Sequence, residues 1–218
     1  MKGTDPRLMD KTKNDTEPFF SVVTCTYNRA ELICRALDSL LAQSCDHWEC
    51  IVVDDASTDD TRAVVAPYVG TRIRYLPHSH QGCAMSKNTG IKAARGRYVT
   101  FLDSDDEYKP EHLMIRMEAL MQDPDLDLLY SDVEVIGNAY VPDKDDPAKL
   151  VAVRDCVVGG TFVLKRASAL ATGGFPDVTL GDDALLMEKL VSGGYKIKKI
   201  ASATYIYHRD TPGSMCST

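Results

Sequence analysis

Hydrophobic and polar positions alternate in blocks along most of this chain. Short apolar runs bounded by polar residues predict strands, and between them apolar positions recur at helical spacing. The predicted strands are FFSVVTCTY, WECIVVDD, RIRYLP, RYVTFLD and DLDLLYSDVEVIG, and the predicted helices cover residues 29–42, 58–69, about 83–94 and a stretch that opens near Pro110. Strands and helices that alternate in this way are typical of βαβ units on a parallel sheet.

The second half of the chain departs from this regular alternation. Residues 140–149 predict a polar, proline-bearing loop, residues 159–166 a short strand and residues 182–191 a helix. This half of the sheet is therefore expected to be mixed. We predict an α/β fold with a mostly parallel central sheet and helices on both faces. Ligands of such sheets bind beyond the carboxyl ends of the strands, so the chemistry is expected there.

Domain organisation is predicted from charge and apolar content. Residues 1–18 are polar and without periodicity, which predicts a flexible lead-in, and residues 19–218 are predicted to form one domain. No stretch resembles a secretory signal or a membrane span. We therefore expect a cytoplasmic protein, with peripheral attachment to the inner face of the membrane left open. The sequence does not indicate an oligomeric state.

The charge balance narrows the choice of partners. The chain carries 25 basic and 32 acidic residues, a net charge of −7 and a pI of about 5.2, which argues against binding to nucleic acid. Its seven cysteines include no CxxC pair and no histidine at metal-ligand spacing. This pattern indicates buried or free thiols in a reducing compartment.

Acidic residues cluster at the ends of two predicted strands. The clusters are Asp54 and Asp55 after the second strand, and Asp103, Ser104, Asp105 and Asp106 after the fourth. Carboxylates gathered on one edge repel each other unless a cation lies between them, and Asp103 and Asp105 can bind one Mg²⁺ or Mn²⁺ together with phosphate oxygens and water. The alternative is that Asp105 and Asp106 only shape the turn and cap the next helix. Two such clusters on one edge favour metal and nucleotide binding.

Three further positions have a functional and a structural interpretation. Tyr27 offers a face for a base and Asp55 can accept the N3–H of uracil or thymine, although Tyr27 alone could be a half-buried strand residue. Lys87 could pair with phosphate or be a solvated helix residue, and the two interpretations are equally supported. Asp183 could be a general base, but the helix dipole alone also explains acidic residues in a first turn.

The ordered motifs resemble those of the GT-A fold, family 2 inverting glycosyltransferases, from Phe19 onward. They are SVVTCTYNR, IVVDDASTDDT, KNTGIKAARGRYVTFLDSDDEYKP, and GGF followed by GDDALLMEKL. The resemblance implies a nucleotide site made of Thr26, Tyr27, Arg29, Asp54, Asp55, Lys87, Asp103 and Ser104. It also implies that Asp105 and Asp103 form the metal-binding DxD pair, for Mn²⁺ or Mg²⁺, and that Asp183 is the catalytic base.

The implied activity is transfer of a sugar, with inversion, from a nucleotide diphosphate donor to an acceptor hydroxyl. A UDP-sugar is favoured, with thymine the next base, and the acceptor would be a glycan, a lipid-linked sugar or another hydroxyl in polysaccharide, glycolipid or cell-surface glycan synthesis. Many relatives carry a histidine where Thr211 stands, and the role of His208 is left open.

Three other functions would each leave a different sign in the sequence. A non-catalytic sugar-nucleotide-binding GT-A module is the alternative, and its sign would be a broken carboxylate set. A sugar-nucleotide pyrophosphorylase would have a glycine-rich basic loop where this chain has TCTYNRAEL. A receiver domain would be shorter and would leave Asp183 unexplained.

Overall fold

The computed structural model describes residues 17–210, so residues 1–16 of the predicted lead-in and Thr211 lie outside the described part of the chain. The elements are β1 (Phe20–Thr26), α1 (Ile33–Leu41), β2 (Trp48–Asp54), α2 (Thr61–Val65), β3 (Ile73–Pro77), α3 (Cys83–Ala93), β4 (Tyr98–Phe101), β5 (Glu107–Tyr108), α4 (His112–Gln122), β6 (Leu128–Ile136), β7 (Tyr140–Pro142), β8 (Leu150–Ala152), β9 (Val163–Lys165), α5 (Arg166–Ala171), α6 (Asp182–Ser192) and β10 (Ile197–His208). They confirm an α/β architecture.

One eight-stranded sheet runs through the protein in the order β3-β2-β1-β4-β9-β6-β10-β5. Strands β1 to β4 pair in parallel, and so do β6 and β10. Strand β9 is antiparallel to both of its neighbours, and β5 is antiparallel to β10. The mixed second half of the sheet is therefore confirmed, and the carboxyl ends of β1, β2 and β4 lie side by side.

The apolar core lies on both faces of the sheet. In β1, Val22 packs into one cluster and Val23 into the other, because successive strand side chains point to opposite faces. Helices α1 and α4 cover the first cluster, and α3 and α6 cover the second. The helices on both faces are thus confirmed. Between residues 17 and 210, no helix has the length and apolar character needed to cross a bilayer.

Several elements differ from the sequence prediction. The first helix begins at Ile33 rather than at Arg29, because Asn28 adopts a left-handed conformation with φ of 51° and its side chain accepts a bond from the backbone of Thr58. The hairpin of β7 and β8 forms within the stretch predicted to be a loop. Helix α5 and strand β10 were not predicted.

Candidate active site

A cleft of about 390 Å³ opens at the carboxyl ends of β1, β2 and β4. Its lining residues are Cys25, Thr26, Tyr27, Arg29, Asp55, His80, Gly82, Cys83, Ser86, Lys87, Asp103, Ser104, Asp105 and Tyr207. A larger hollow of about 640 Å³ lies at the opposite ends of the strands, around Trp48 and Arg95. We assign the chemistry to the smaller cleft, because it contains the clustered carboxylates and the larger hollow contains none of the predicted site residues.

Most of the predicted nucleotide and metal residues meet in this cleft. They are Thr26, Tyr27, Arg29, Asp55, Lys87, Asp103, Ser104 and Asp105. The hydroxyl of Thr26 is buried and has no hydrogen-bond partner within the described chain. A bound molecule would satisfy this donor, since buried polar groups are normally paired. Asp54 and Asp183 are not among the lining residues.

One end of the cleft pairs an aromatic surface with a carboxylate. The rings of Tyr27 and His80 lie 4.6 Å apart, and Tyr27 is 44% exposed. The buried carboxylate of Asp55 accepts bonds from the backbone N–H groups of Gln81 and Gly82 at 2.7 and 2.9 Å. His80 lies 2.9 Å from the same carboxylate. A flat base could stack on the rings with its edge toward Asp55.

Asp54, which was predicted to contact the nucleotide, does not line the cleft, and its carboxylate is bonded within the protein. Its carboxylate accepts a 2.8 Å bond from the backbone of Ser57 and a bond from the hydroxyl of Tyr75. Asp54 is buried, and these partners hold the turn after β2 and the neighbouring strand β3. We therefore assign Asp54 to shaping the turn that presents Asp55.

Strand β10 holds the acidic turn after β4. The hydroxyl of Tyr205 donates to Asp106 Oδ2 at 2.6 Å and lies 3.4 Å from Asp103 Oδ2. The backbone N–H of His208 donates to Asp106 Oδ1 at 2.8 Å. Burial and the charges of Asp103 and Asp105 raise the pKa of Asp106 well above its ordinary range.

The helix-capping alternative for this turn finds no support. Helix α4 begins at His112, and no side chain caps its N-terminus with a hydrogen bond. His208, whose role was open, lies with Nε2 2.8 Å from Glu107 Oε1 and so fixes the end of β10 to β5. Asp106 and His208 are thus parts of the support beneath Asp103 and Asp105.

Asp103 and Asp105 fit a hard divalent cation. Burial and the negative charge of Asp103 raise the pKa of Asp105, so the two carboxylates are under mutual repulsion that a cation would relieve. In residues 17–210, no three acidic, histidine or cysteine side chains are gathered closely enough to hold an ion by themselves. The pair therefore suits Mg²⁺ or Mn²⁺ that takes its other ligands from a diphosphate and water.

Lys87 connects the cleft to the first turn of α6. Its ammonium lies 3.0 Å from Asp182 Oδ2 and 4.7 Å from the centre of the Phe175 ring. Burial alone would lower the pKa of Lys87, but the negative groups around it, Cys83, Asp182, Asp103 and Asp183, outweigh this and raise it well above its ordinary value. Of the two interpretations of Lys87, the solvated helix residue is wrong, because the side chain is buried.

Asp183 is the second residue of α6 and lies near this lysine. Its carboxylate accepts bonds from the backbone N–H groups of Gly159 at 2.9 Å and Ala184 at 2.8 Å. Burial raises the pKa of Asp183, the nearby Lys87 lowers it, Asp182 raises it further, and the net shift is upward. Asp183 is therefore held in place by the backbone and has more affinity for a proton than an ordinary aspartate.

Comparison with solved structures identifies the class of fold. The TarS fragment 1–349 of S. aureus in complex with UDP-GlcNAc superposes with a TM-score of 0.73 at 23% identity, covering 91% of this chain and 61% of that chain. The mannosyltransferase PcManGT from Pyrobaculum calidifontis, in complex with GDP-Man and Mn²⁺, gives a TM-score of 0.71 at 22% identity, over 91% of this chain and 59% of that one. The protein has the GT-A fold.

Sequence comparison identifies the family. The profile of Glycosyl transferase family 2 matches residues 21–147, and the chain belongs to that family. The Escherichia coli protein WfgD, named as a UDP-Glc:alpha-D-GlcNAc-diphosphoundecaprenol beta-1,3-glucosyltransferase, is 30% identical over 163 residues. The match covers 72% of this chain and 64% of WfgD. The chain thus spans less than two thirds of the length of this relative.

Proposed function

We propose that this protein transfers a sugar from a UDP-sugar to an acceptor hydroxyl, with inversion at the anomeric carbon. The observation that carries the proposal is the arrangement around Lys87. Asp103 and Asp105 line the cleft together with this lysine, and Asp182 lies 3.0 Å from its ammonium at the start of α6, next to Asp183. The charges of Asp103 and Asp183 both act on Lys87, so this lysine connects the carboxylates proposed to bind the donor with the one proposed to activate the acceptor. The name of the family member WfgD, a UDP-Glc-dependent transferase, supports the choice of donor.

The donor nucleotide fits the cleft from the base to the diphosphate. The base stacks on Tyr27 and donates its N3–H toward Asp55, since a carboxylate is an acceptor only. Arg29 and Lys87 bring positive charge to the diphosphate. Asp103 and Asp105 would hold the divalent ion, which supplies Lewis-acid stabilisation to the departing diphosphate when bound.

Asp183 is the proposed general base. The acceptor hydroxyl attacks the anomeric carbon while its proton passes to the Asp183 carboxylate, and the bond to the diphosphate breaks on the opposite face of the sugar. The backbone bonds from Gly159 and Ala184 keep the carboxylate oriented for this transfer. The raised pKa of Asp183 favours proton acceptance, because a base is most effective when its pKa approaches the working pH.

The name of the same relative supports a choice of acceptor class. WfgD is named for a diphosphoundecaprenol-linked sugar acceptor, so a polyprenol-linked sugar is the first acceptor class to test. We propose that this protein acts in glycan synthesis at the cytoplasmic face of a membrane.

Thermal stabilisation by nucleotides tests the donor site without knowing the acceptor. UDP at a hundred times its Kd, with Mn²⁺ or Mg²⁺ present, is expected to add about 2.7 kcal/mol to the free energy of unfolding, which raises Tm by roughly 5–10 °C. GDP is expected to give a smaller shift. The Asp105→Asn variant should lose the part of this stabilisation that depends on the metal. The control is Asp125→Asn, at an exposed position, which should be stabilised as much as the unmodified protein. The proposal fails if no nucleoside diphosphate stabilises the fold with metal present.

A further inference from the structure

His80 makes two contacts at the base end of the cleft, from the loop between β3 and α3. Its ring packs against the ring of Tyr27, with the ring centres 4.6 Å apart and an angle of 34° between the planes. Its Nδ1 lies 2.9 Å from Asp55 Oδ2 and 3.1 Å from the backbone oxygen of Asp55. A flat nitrogen heterocycle of the protein itself therefore covers the tyrosine ring and meets the carboxylate.

These are the two contacts that the proposed function requires of the donor base. The base is proposed to stack on Tyr27 and to donate its N3–H to Asp55. The Asp55 side chain is only 5% exposed, because two histidine rings and two backbone N–H groups surround its carboxylate. The base can therefore reach this acceptor only after one of these groups has moved.

Among the groups of the described chain that surround the carboxylate, His80 is the most free to move. Its side chain is 59% exposed, whereas that of His78 is 13% exposed and has Nε2 3.0 Å from the hydroxyl of Ser86. The other two groups are the backbone N–H groups of Gln81 and Gly82, whose bonds to Asp55 anchor the loop. Rotation of the exposed His80 side chain therefore uncovers the carboxylate while the loop stays in place.

We propose that the imidazole of His80 occupies the base position in the free protein and is displaced when UDP binds. The uracil ring then takes its place on Tyr27, and the N3–H of uracil replaces the imidazole at the Asp55 carboxylate. Because the binding-competent arrangement is only a fraction of the free protein, the apparent affinity for UDP is lowered by that fraction. The displacement rests on the proposed function, whereas the position of His80 does not.

Calorimetric titration of the full chain with UDP, in the presence of Mg²⁺, tests the displacement. Because His80→Ala removes the competing ring, this variant should bind UDP about three- to fivefold more tightly than the unmodified protein. The matched control is His47→Ala, which removes a histidine of similar exposure, 61%, outside the cleft and should leave the affinity unchanged. If the base instead needed the imidazole as a stacking surface, His80→Ala would bind UDP more weakly. An affinity that is unchanged or lower overturns the proposal.

Nuclear magnetic resonance follows the position of the ring directly. In the free protein, the ring protons of His80 and Tyr27 should give a nuclear Overhauser effect, because the ring centres are 4.6 Å apart. Saturation with UDP and Mg²⁺ should abolish this effect, and its persistence at saturation would contradict the displacement. The Tm of His80→Ala without nucleotide should stay within about 2 °C of that of the unmodified protein, so that a change in affinity does not reflect a change in folding.

The titrations distinguish a failure of this proposal from a failure of the donor site. If the unmodified protein binds UDP and His80→Ala binds it no more tightly, the displacement is wrong and the donor site stands. If neither protein binds UDP, the donor site and the displacement are both wrong. Binding by His80→Ala alone would support both, with the imidazole a stronger competitor than expected.

Discussion

The ammonium of Lys87 lies 3.0 Å from Asp182 Oδ2 and joins two helices across 95 positions of the chain. Both side chains are largely shielded, with 8% and 19% exposure. The pair holds the first turn of α6, and with it Asp183, against the cleft. This ion pair therefore contributes to the relative position of the proposed donor site and the proposed base.

Replacing Lys87 is expected to destabilise the fold. In Lys87→Gln, the charge of Asp182 is left without its counter-ion in a shielded position, and breaking such a pair costs about 3 kcal/mol. Urea denaturation measures this difference in the free energy of unfolding. Lys92→Gln, on the exposed side of the same helix, should change it by less than about 0.5 kcal/mol. Equal losses in the free energy of unfolding for the two variants would show that the ion pair does not stabilise the fold.

Removing the hydroxyl of Tyr205 is expected to weaken metal binding. Tyr205→Phe deletes the 2.6 Å bond to Asp106 and the 3.4 Å contact with Asp103. Loss of a hydrogen-bond partner that orients a metal-ligating carboxylate commonly lowers the metal affinity about tenfold. The measurement is the Mn²⁺ concentration needed for half-maximal stabilisation by UDP. Tyr195→Phe removes a hydroxyl from a half-buried tyrosine elsewhere and should leave this concentration unchanged.

Glu49, at the end of β2 remote from the cleft, is expected to govern stability without affecting transfer. Its carboxylate accepts bonds from Ser21 and from the guanidinium groups of Arg95 and Arg74. Burial would raise the pKa of Glu49, but the bonds from Arg95 and Ser21 outweigh this and lower the pKa below its ordinary value of 4.5. The stabilisation of the fold by the Glu49 carboxylate is thus complete above pH 4.5, and it is lost as the pH falls through the lowered pKa.

The Glu49→Gln variant tests this pH dependence. At pH 7 it should be less stable than the unmodified protein by about 2 kcal/mol, the strength of hydrogen bonds to a charged group. The difference should shrink as the pH falls below about 4, where the native carboxylate becomes protonated. Glu118→Gln, an exposed residue of α4, is the matched control. A stability difference that does not change with pH would contradict the assigned pKa shift.

The first half of the fold could be predicted because its pattern is local. Buried parallel strands are short apolar runs, and their ends are marked by polar residues, so β1, β2 and β4 and the cleft beyond them follow from the sequence. Strand β10 could not be found this way. It includes exposed Lys198 and Lys199, and its stability comes from pairing with β6, far away in sequence.

The site was predicted less completely, because neighbours in sequence can face different surroundings. Asp54 and Asp55 are adjacent, yet only Asp55 faces the cleft, and Tyr75 of β3 engages Asp54. No local signal distinguishes the two carboxylates. Tyr205 was missed for a similar reason, since it reaches Asp106 across 99 positions of the chain. His80 carried a weak local signal, because it lies in the polar stretch before α3.

Turnover by an Asp183→Asn variant tests the central claim most directly. The change keeps the size of the side chain and removes the proton acceptor, so transfer from a UDP-sugar is expected to fall by about 10²–10⁴-fold. The affinity for UDP and Mn²⁺ should stay within about twofold of that of the unmodified protein. The control is Glu188→Gln, at an exposed position of the same helix, which should keep both this affinity and full turnover. Full turnover in Asp183→Asn would contradict the assignment of Asp183 as the base.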